Sequence, residues 1–401
     1  MSPQAAWQTK VMKDLATINY GKSPSQILDE YGIYTVFGTG GVERLGNDYL
    51  YEGESIILGR KGTIDRVFFA TGRFWTIDTA YYLSKFDGAL PRWLFYFLQT
   101  QDLRQLNEAT GVPSLARETL YKIKVTTPPP TEQTKIAEIL STVDRAIEQT
   151  EALIAKQERI KTGLMQELLT RGIDEHGNLR SESTHQFKDS PLGRIPLEWE
   201  TKRLDWLASE IVDCPHTTPE FTPGGVLVAR TVNVKSGRFV PEHYYVSEGE
   251  YSDRISRLEP RCGDIIFTRE APVGEAFIVP QNLRVCLGQR TMLIRCNHDK
   301  CLPEYLLEVV YGEGMRIRFD QMVGGTTNPH LNVEDVRALI LKVPPVKEQR
   351  RISTSLRGVR EAIEHASHQK AKLSLVKTAL MQDLLTGRRR VTPLLELEHA
   401  H

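Results

Sequence analysis

Arg60 and Arg269 each stand three residues beyond an Ile-Ile pair, Ile56-Ile57 and Ile265-Ile266. Each opens a polar turn: Leu58-Gly59-Arg60-Lys61-Gly62-Thr63 in the first case, Phe267-Thr268-Arg269-Glu270 in the second. A guanidinium can hydrogen-bond both acceptors on a guanine edge at once, while Lys, Thr and backbone N–H groups hold phosphate oxygens. Arg66, Arg73, Arg230, Thr231, Asn233, Lys235 and Arg238 add further donors. Taken singly, any of these is equally a solvated surface charge. The matched location is what sets Arg60 and Arg269 apart.

Enzyme chemistry has weaker support. Gly38-Thr39-Gly40-Gly41 comes close to the glycine-rich loops that hold nucleotides or methyl donors. Glu43 replaces the third glycine, however, and no alternation of strand and helix follows, which leaves a tight turn that lets backbone approach a ligand. Glu200-x-Lys202 with Asp189 loosely suggests a metal-dependent nuclease, but the related segment Trp7-Gln8-Thr9-Lys10 has Gln8 in place of Glu200. Cys296-x4-Cys301 encloses His298, and Cys214, Cys262 and Cys286 complete an odd set without a Cys-x2-Cys pair. The expectation is buried or free thiols in a reduced, cytoplasmic protein, with no metal site and no disulfide framework. His216 and His330 sit beside prolines in turns. No Ser-His-Asp spacing, Walker loop or paired-carboxylate pattern stands out, so no catalytic residue is expected.

The elements that position these residues come from a duplication. The chain has 401 residues and 51 basic against 51 acidic side chains, a neutral total that leaves local patches to be sought segment by segment. Lys161-Thr162-x-Leu164-Met165-Gln166-x-Leu168-Leu169-Thr170 recurs 216 residues later as Lys377-Thr378-x-Leu380-Met381-Gln382-x-Leu384-Leu385-Thr386. The same offset pairs Glu132-Gln133 with Glu348-Gln349 and Leu115 with Leu331. It shrinks upstream, through Leu90-Pro91 with Leu302-Pro303, to Trp7-x-Thr9-Lys10 with Trp199-x-Thr201-Lys202. Two copies follow, roughly 7–170 and 199–386.

Each copy opens with short strands and turns (Tyr34–Phe37, Ser55–Leu58, Val67–Ala70; then Val226–Ala229, Asp264–Phe267, Phe277–Val279) and places a proline, Pro91 or Pro303, at a helix start. Each ends in a helix of about 40 residues. Its seam steps by four and three through Ile136, Leu140, Val143, Ile147, Thr150, Ile154, Gln157, Lys161, Leu164 and Leu168, and in the second copy through Ile352, Leu356, Val359, Ile363, Ala366, Lys370, Leu373, Lys377, Leu380 and Leu384. Residues 131–170 carry 5 basic and 7 acidic side chains, residues 346–386 carry 8 and 4, so the helices are complementary in charge. An antiparallel pair would throw the two mixed-β domains to opposite ends of a rod; a parallel pair would set them side by side. No apolar run is long enough for a membrane span, and the N-terminal residues lack a secretory-signal pattern.

These motifs in this order resemble the specificity subunit of type I restriction-modification systems. The resemblance rests on the doubled Trp-x-Thr-Lys openings, the Pro-Pro-x-x-Glu-Gln helix starts, the Leu-Met-Gln-x-Leu-Leu-Thr helix ends and the connector Ser190-Pro191-Leu192-Gly193-Arg194-Ile195-Pro196. It implies an α+β architecture with two target-recognition domains, at 1–128 and 199–343. Long antiparallel coiled-coil helices at 129–172 and 344–388 would separate them, with a linker at 173–198 and a tail at 389–401.

It further implies that each domain reads half of a bipartite, asymmetric DNA site while the helices set the spacer. The expected partners are double-stranded DNA, two modification subunits that carry S-adenosylmethionine, and restriction subunits that use ATP and Mg; no cofactor is expected in this chain. By analogy Thr39, Gly40, Gly41, Arg60, Lys61, His216, Arg230 and Arg269 lie near DNA, joined by Thr63, Arg73, Thr231 and Asn233 from the donor pattern. The alternative is a coiled-coil scaffold that organises partners other than DNA.

Overall fold

The computed structural model describes residues 6–240, 242, 244–324 and 330–398, and divides into two compact units. The first comprises Met1–Ala152 with Ser367–His401, the second Leu153–Ala366. The units cut across the sequence repeats, because the two long helices, Pro130–Thr170 and Val346–Leu385, each begin in one unit and end in the other.

In the first unit a four-stranded antiparallel sheet runs in the order Thr17–Tyr20, Ala80–Ser84, Ser55–Gly59, Val67–Ala70. The second unit repeats it with Ala208–Asp213, Thr291–Cys296, Ile265–Thr268 and Ala276–Ile278. A second sheet lies beside each. It is built around a parallel pair, Tyr34–Gly38 with Arg73–Thr76 in one unit and Val226–Ala229 with Val285–Leu287 in the other. The Ile-Ile strands read as continuous apolar runs because each is covered on both faces. Ile56 and Leu58 join the core against the helices while Ile57 joins Phe37 and Phe74; likewise Ile265 and Phe267 point one way and Ile266 the other. The helices Pro91–Gln99 and Pro303–Tyr311 start at the expected prolines, where a missing N–H costs nothing.

Every predicted seam residue of the long helices is at least partly buried. Ile136, Leu140, Leu384 and Leu385 share the core of the first unit; Ile352, Leu356 and Leu168 share that of the second. Within the first unit Lys377 Nζ meets Asp144 Oδ1 at 2.7 Å and Lys370 Nζ meets Glu151 Oε1 at 2.8 Å. Seven residues back along one helix is seven forward along the other, so the helices run antiparallel. The charge complementarity of the two sequences is thereby used directly.

The Glu-Gln pair at each helix start locks helix to domain. The Gln133 amide donates to Pro128 O and Gly88 O, both at 2.9 Å, and its carbonyl accepts from Leu90 N. Gln349 repeats this with Pro344 O, Lys300 O and Leu302 N. Glu132 binds Arg390 and Glu348 binds Arg180, each arginine arriving on chain that has just left the end of a long helix. Gly387 and Gly172 make those exits at positive φ (73° and 66°), and a Cβ on either would press on Trp7 or Trp199. The conserved offsets of the repeat therefore mark one docking device built twice. Among the described residues no helix is long and apolar enough to cross a membrane.

Candidate nucleic-acid interface

In the first unit the Arg60 turn is gripped by backbone on both sides. Arg60 N and Lys61 N donate to Thr79 O at 2.8 and 3.1 Å, Gly62 N donates to Pro113 O, and Leu115 N donates to Arg60 O at 2.9 Å. Gly59 has no room for a Cβ, which would fall 1.9 Å from Thr63 O, and Gly62 adopts φ 91°. Below the turn the Tyr81 hydroxyl donates to Leu115 O; burial pushes its pKa up to about 12, so it stays a neutral donor.

Thr39 and Gly40 close the hairpin between Tyr34–Gly38 and Gly41–Gly46, and Thr39 Oγ1 lies 4.0 Å from where a Cβ on Gly62 would stand. Gly40 has open space around it, whereas Gly41 takes φ 116° against the Phe68 ring. Thr39, Gly40, Arg60, Lys61 and Thr63 are thus brought to one end of the domain. Arg73 is not. Parallel pairing puts it beside Tyr34, five residues from Thr39 along the strand or roughly 16 Å. There it donates to Glu52 at 3.0 Å and lies over the Tyr49 ring; its hydrogen bonds to Tyr34 and Glu52 raise its pKa further.

Arg60 spends one N–H on Asp78 O and rests its guanidinium 5.1 Å from the centre of the Tyr20 ring, and Arg117 approaches the same ring at the same distance. Tyr20 is 46% exposed. An exposed aromatic carrying two guanidiniums offers stacking and anion contact together. In the sequence Tyr20 opens the segment Tyr20-Gly21-Lys22-Ser23-Pro24, but nothing local marks its ring as the rest for two distant arginines.

The second unit repeats the backbone of this site and changes its chemistry. Arg269 N donates to Arg290 O at 2.8 Å and Leu331 N donates to Arg269 O at 3.0 Å, the same frame as at Arg60. The Arg269 side chain, however, turns inward. It forms two bonds to the Asp213 carboxylate, at 3.0 and 3.1 Å, and a third to Leu331 O at 2.9 Å; the residue is 7% exposed. Arg269, expected near DNA, therefore presents no free guanidinium: three of its N–H donors hold the end of the Ile265–Thr268 strand to Asp213, at the end of Ala208–Asp213, and to Leu331. Asn233 is also turned inward. It is fully buried, accepting from Arg230 N and donating to Val240 O and Glu242 O.

His216 is exposed, with Nε2 3.4 Å from Asp213 Oδ2. Its carbonyl and Thr218 receive the Gln289 amide. Thr231 is half-buried in the turn after Arg230, whose guanidinium lies 4.3 Å from the Tyr244 ring centre and 5.3 Å from that of Phe221. Among the described residues no group of three metal-ligating side chains forms.

A family model described as the type I restriction modification DNA specificity domain matches the chain twice, over residues 5–159 and 197–374. The type I restriction enzyme MjaVIII specificity subunit of Methanocaldococcus jannaschii is 26% identical over 310 residues, 75% of this chain and 70% of the relative. The MjaIX specificity subunit of the same organism is 24% identical over 423 residues, covering 97% of this chain and 94% of the relative. Among solved structures, the S subunit of a type I restriction-modification system from M. genitalium superposes with a TM-score of 0.67 over 96% of this chain and 97% of its own, at 14% identity, which is a likeness of fold.

Proposed function

Because the chain belongs to the family of type I restriction-modification DNA specificity subunits, we propose that each of its two domains reads one half of a bipartite, asymmetric DNA sequence and that the paired helices set the spacer between the halves. The chain is the DNA sequence-specificity subunit of a type I restriction-modification system, assembling with DNA and with the other subunits of that system. The scaffold alternative is not favoured.

One observation supports two readers with two different targets. The same backbone frame is built twice, around Arg60 and around Arg269, but the first side chain lies on an exposed tyrosine while the second is buried, which leaves different outward groups in each unit. Equal frames deliver equal positioning on the duplex, while different outward groups read different base edges. The Arg60 guanidinium and Lys61 beside an exposed tyrosine serve the first half-site, and Arg230 with His216 serves the second.

In this reading the chain contributes recognition and not catalysis. Two modification subunits supply S-adenosylmethionine and methylate adenine, and restriction subunits supply ATP- and Mg-dependent cleavage. Neutral overall charge suits this division, since partner subunits can carry much of the phosphate contact. A cytoplasmic location follows from the substrate. Long-read mapping of adenine methylation, with and without the gene, tests the proposal: a bipartite motif should vanish on deletion, and an unchanged methylome in cells with active modification subunits would overturn it.

A further inference from the structure

Among the described residues of the second unit Arg230 is a cation with no acidic partner, and four separate features prepare it. Its backbone is pinned from both sides by Asn233, which accepts from Arg230 N at 3.1 Å through its side chain and donates to Arg230 O at 2.9 Å through its main chain. Its stem passes over Gly288, where a Cβ would stand 2.9 Å from Arg230 Cγ, so only glycine leaves the path open. Its guanidinium lies against Tyr244 and Phe221, the latter 40% exposed. No carboxylate or carbonyl among the described residues accepts from it, in contrast to the buried Arg254 and Arg269 of the same unit, each bonded to a carboxylate and to backbone carbonyl oxygen.

Phe221 and Tyr244 meet at a corner, their centroids 5.3 Å apart and their planes tilted by 55°, and rings so placed restrict the rotation of a guanidinium beside them and remove water from that side, while its outward N–H donors stay available. A plane of donors held rigid in advance is suited to a flat, two-acceptor partner. On duplex DNA that partner is the O6 and N7 edge of guanine. A phosphate contact needs only charge and would be met as well by a mobile lysine.

We propose that Arg230 is the specificity-determining residue for one G·C pair in the half-site read by the second unit, with Phe221 and Tyr244 as its aromatic support and Asn233 and Gly288 as positioning residues. Arg269, the counterpart of Arg60 by repeat position, has passed this task to it and holds the fold instead. The inference rests on the DNA-reading role given above.

The test uses the full chain assembled with its modification subunits, and duplexes carrying the wild-type methylation motif with each base pair changed in turn. Arg230→Ala should lose preference for guanine at a single position by about 5- to 150-fold, ~1 to 3 kcal/mol at 1.4 kcal/mol per tenfold, leaving the other half-site unchanged. Arg230→Lys, which keeps the charge, should lose most of the same preference, and Phe221→Ala with Tyr244→Ala should weaken it while Arg230 is intact. If Arg230→Ala instead lowers affinity uniformly and flattens its salt dependence, or Arg230→Lys discriminates like wild type, Arg230 is a phosphate contact and the inference fails. An unaltered motif in Arg230→Ala also overturns it, while the wild-type motif itself still establishes that the chain directs DNA recognition.

Discussion

Replacing Arg269 by Met separates fold from recognition. The side chains of Arg269 and Asp213 are 9% and 10% exposed, so the substitution leaves a carboxylate with only Cys214 N and the exposed His216 beside it, in a site that water scarcely reaches. Breaking one partner of such a pair costs about 3 to 5 kcal/mol, and Leu331 O loses its side-chain donor as well. For a unit of the size of Leu153–Ala366, each kcal/mol is worth roughly 2 to 4 °C, so its thermal transition should fall by about 6 to 20 °C. Pairing the change with Asp213→Asn removes the buried charge left without its arginine and should recover at least about 1 kcal/mol, a coupling expected of residues in direct contact. Calorimetry of the four proteins in this cycle gives the result, and the methylation motif of each complex gives the second readout. The predicted outcome is a large loss of stability with the second half-site motif unaltered wherever the protein still folds. A transition within about 2 °C of wild type, accompanied by a changed base in the motif, would refute the assignment and return Arg269 to the role of reader.

Arg60→Ala should relax one position of the first half-site by ~1 to 3 kcal/mol and spare the second, as read from methylation of single-base variants of the motif. Burial raises the carboxyl of Glu308 above its ordinary 4.5, only partly opposed by Arg360. The folded state therefore holds the proton more tightly, and the associated stability is present below pH 4.5 and lost as pH rises through the raised value. The melting difference between Glu308→Gln and wild type should accordingly grow in favour of the variant on going from acid to neutral pH; a difference independent of pH would contradict it. Native alkylation followed by mass spectrometry should modify Cys262 alone, because it is exposed while Cys214, Cys286, Cys296 and Cys301 are buried, with the Cys286 thiol pushed up to about 11. Rapid labelling of a second cysteine would show that one of these cores opens.

The sequence by itself determined whatever depends on periodicity and repetition. Heptad spacing specifies a helix seam regardless of partner, and Ile136, Leu140, Ile352 and Leu356 are all in the cores where that spacing puts them. The prolines at 91 and 303 mark helix starts because a missing N–H is tolerated only there. Doubled Glu-Gln and Trp motifs signalled a device used twice, though not that each arginine partner would arrive from the far end of the other repeat's helix.

Tertiary structure decided which side chains remain free. Arg60 and Arg269 share their sequence neighbourhood and their backbone hydrogen bonds, yet one lies on an exposed tyrosine and the other is buried on Asp213, 56 residues away. Likewise Arg230 is set apart by Phe221, Tyr244 and Gly288, residues that no local pattern connects to it. A backbone frame follows from short-range pattern because strands and turns are local. The direction of a long charged side chain depends on whether an acceptor from a distant segment lies within about 3 Å, and only the folded chain sets that distance.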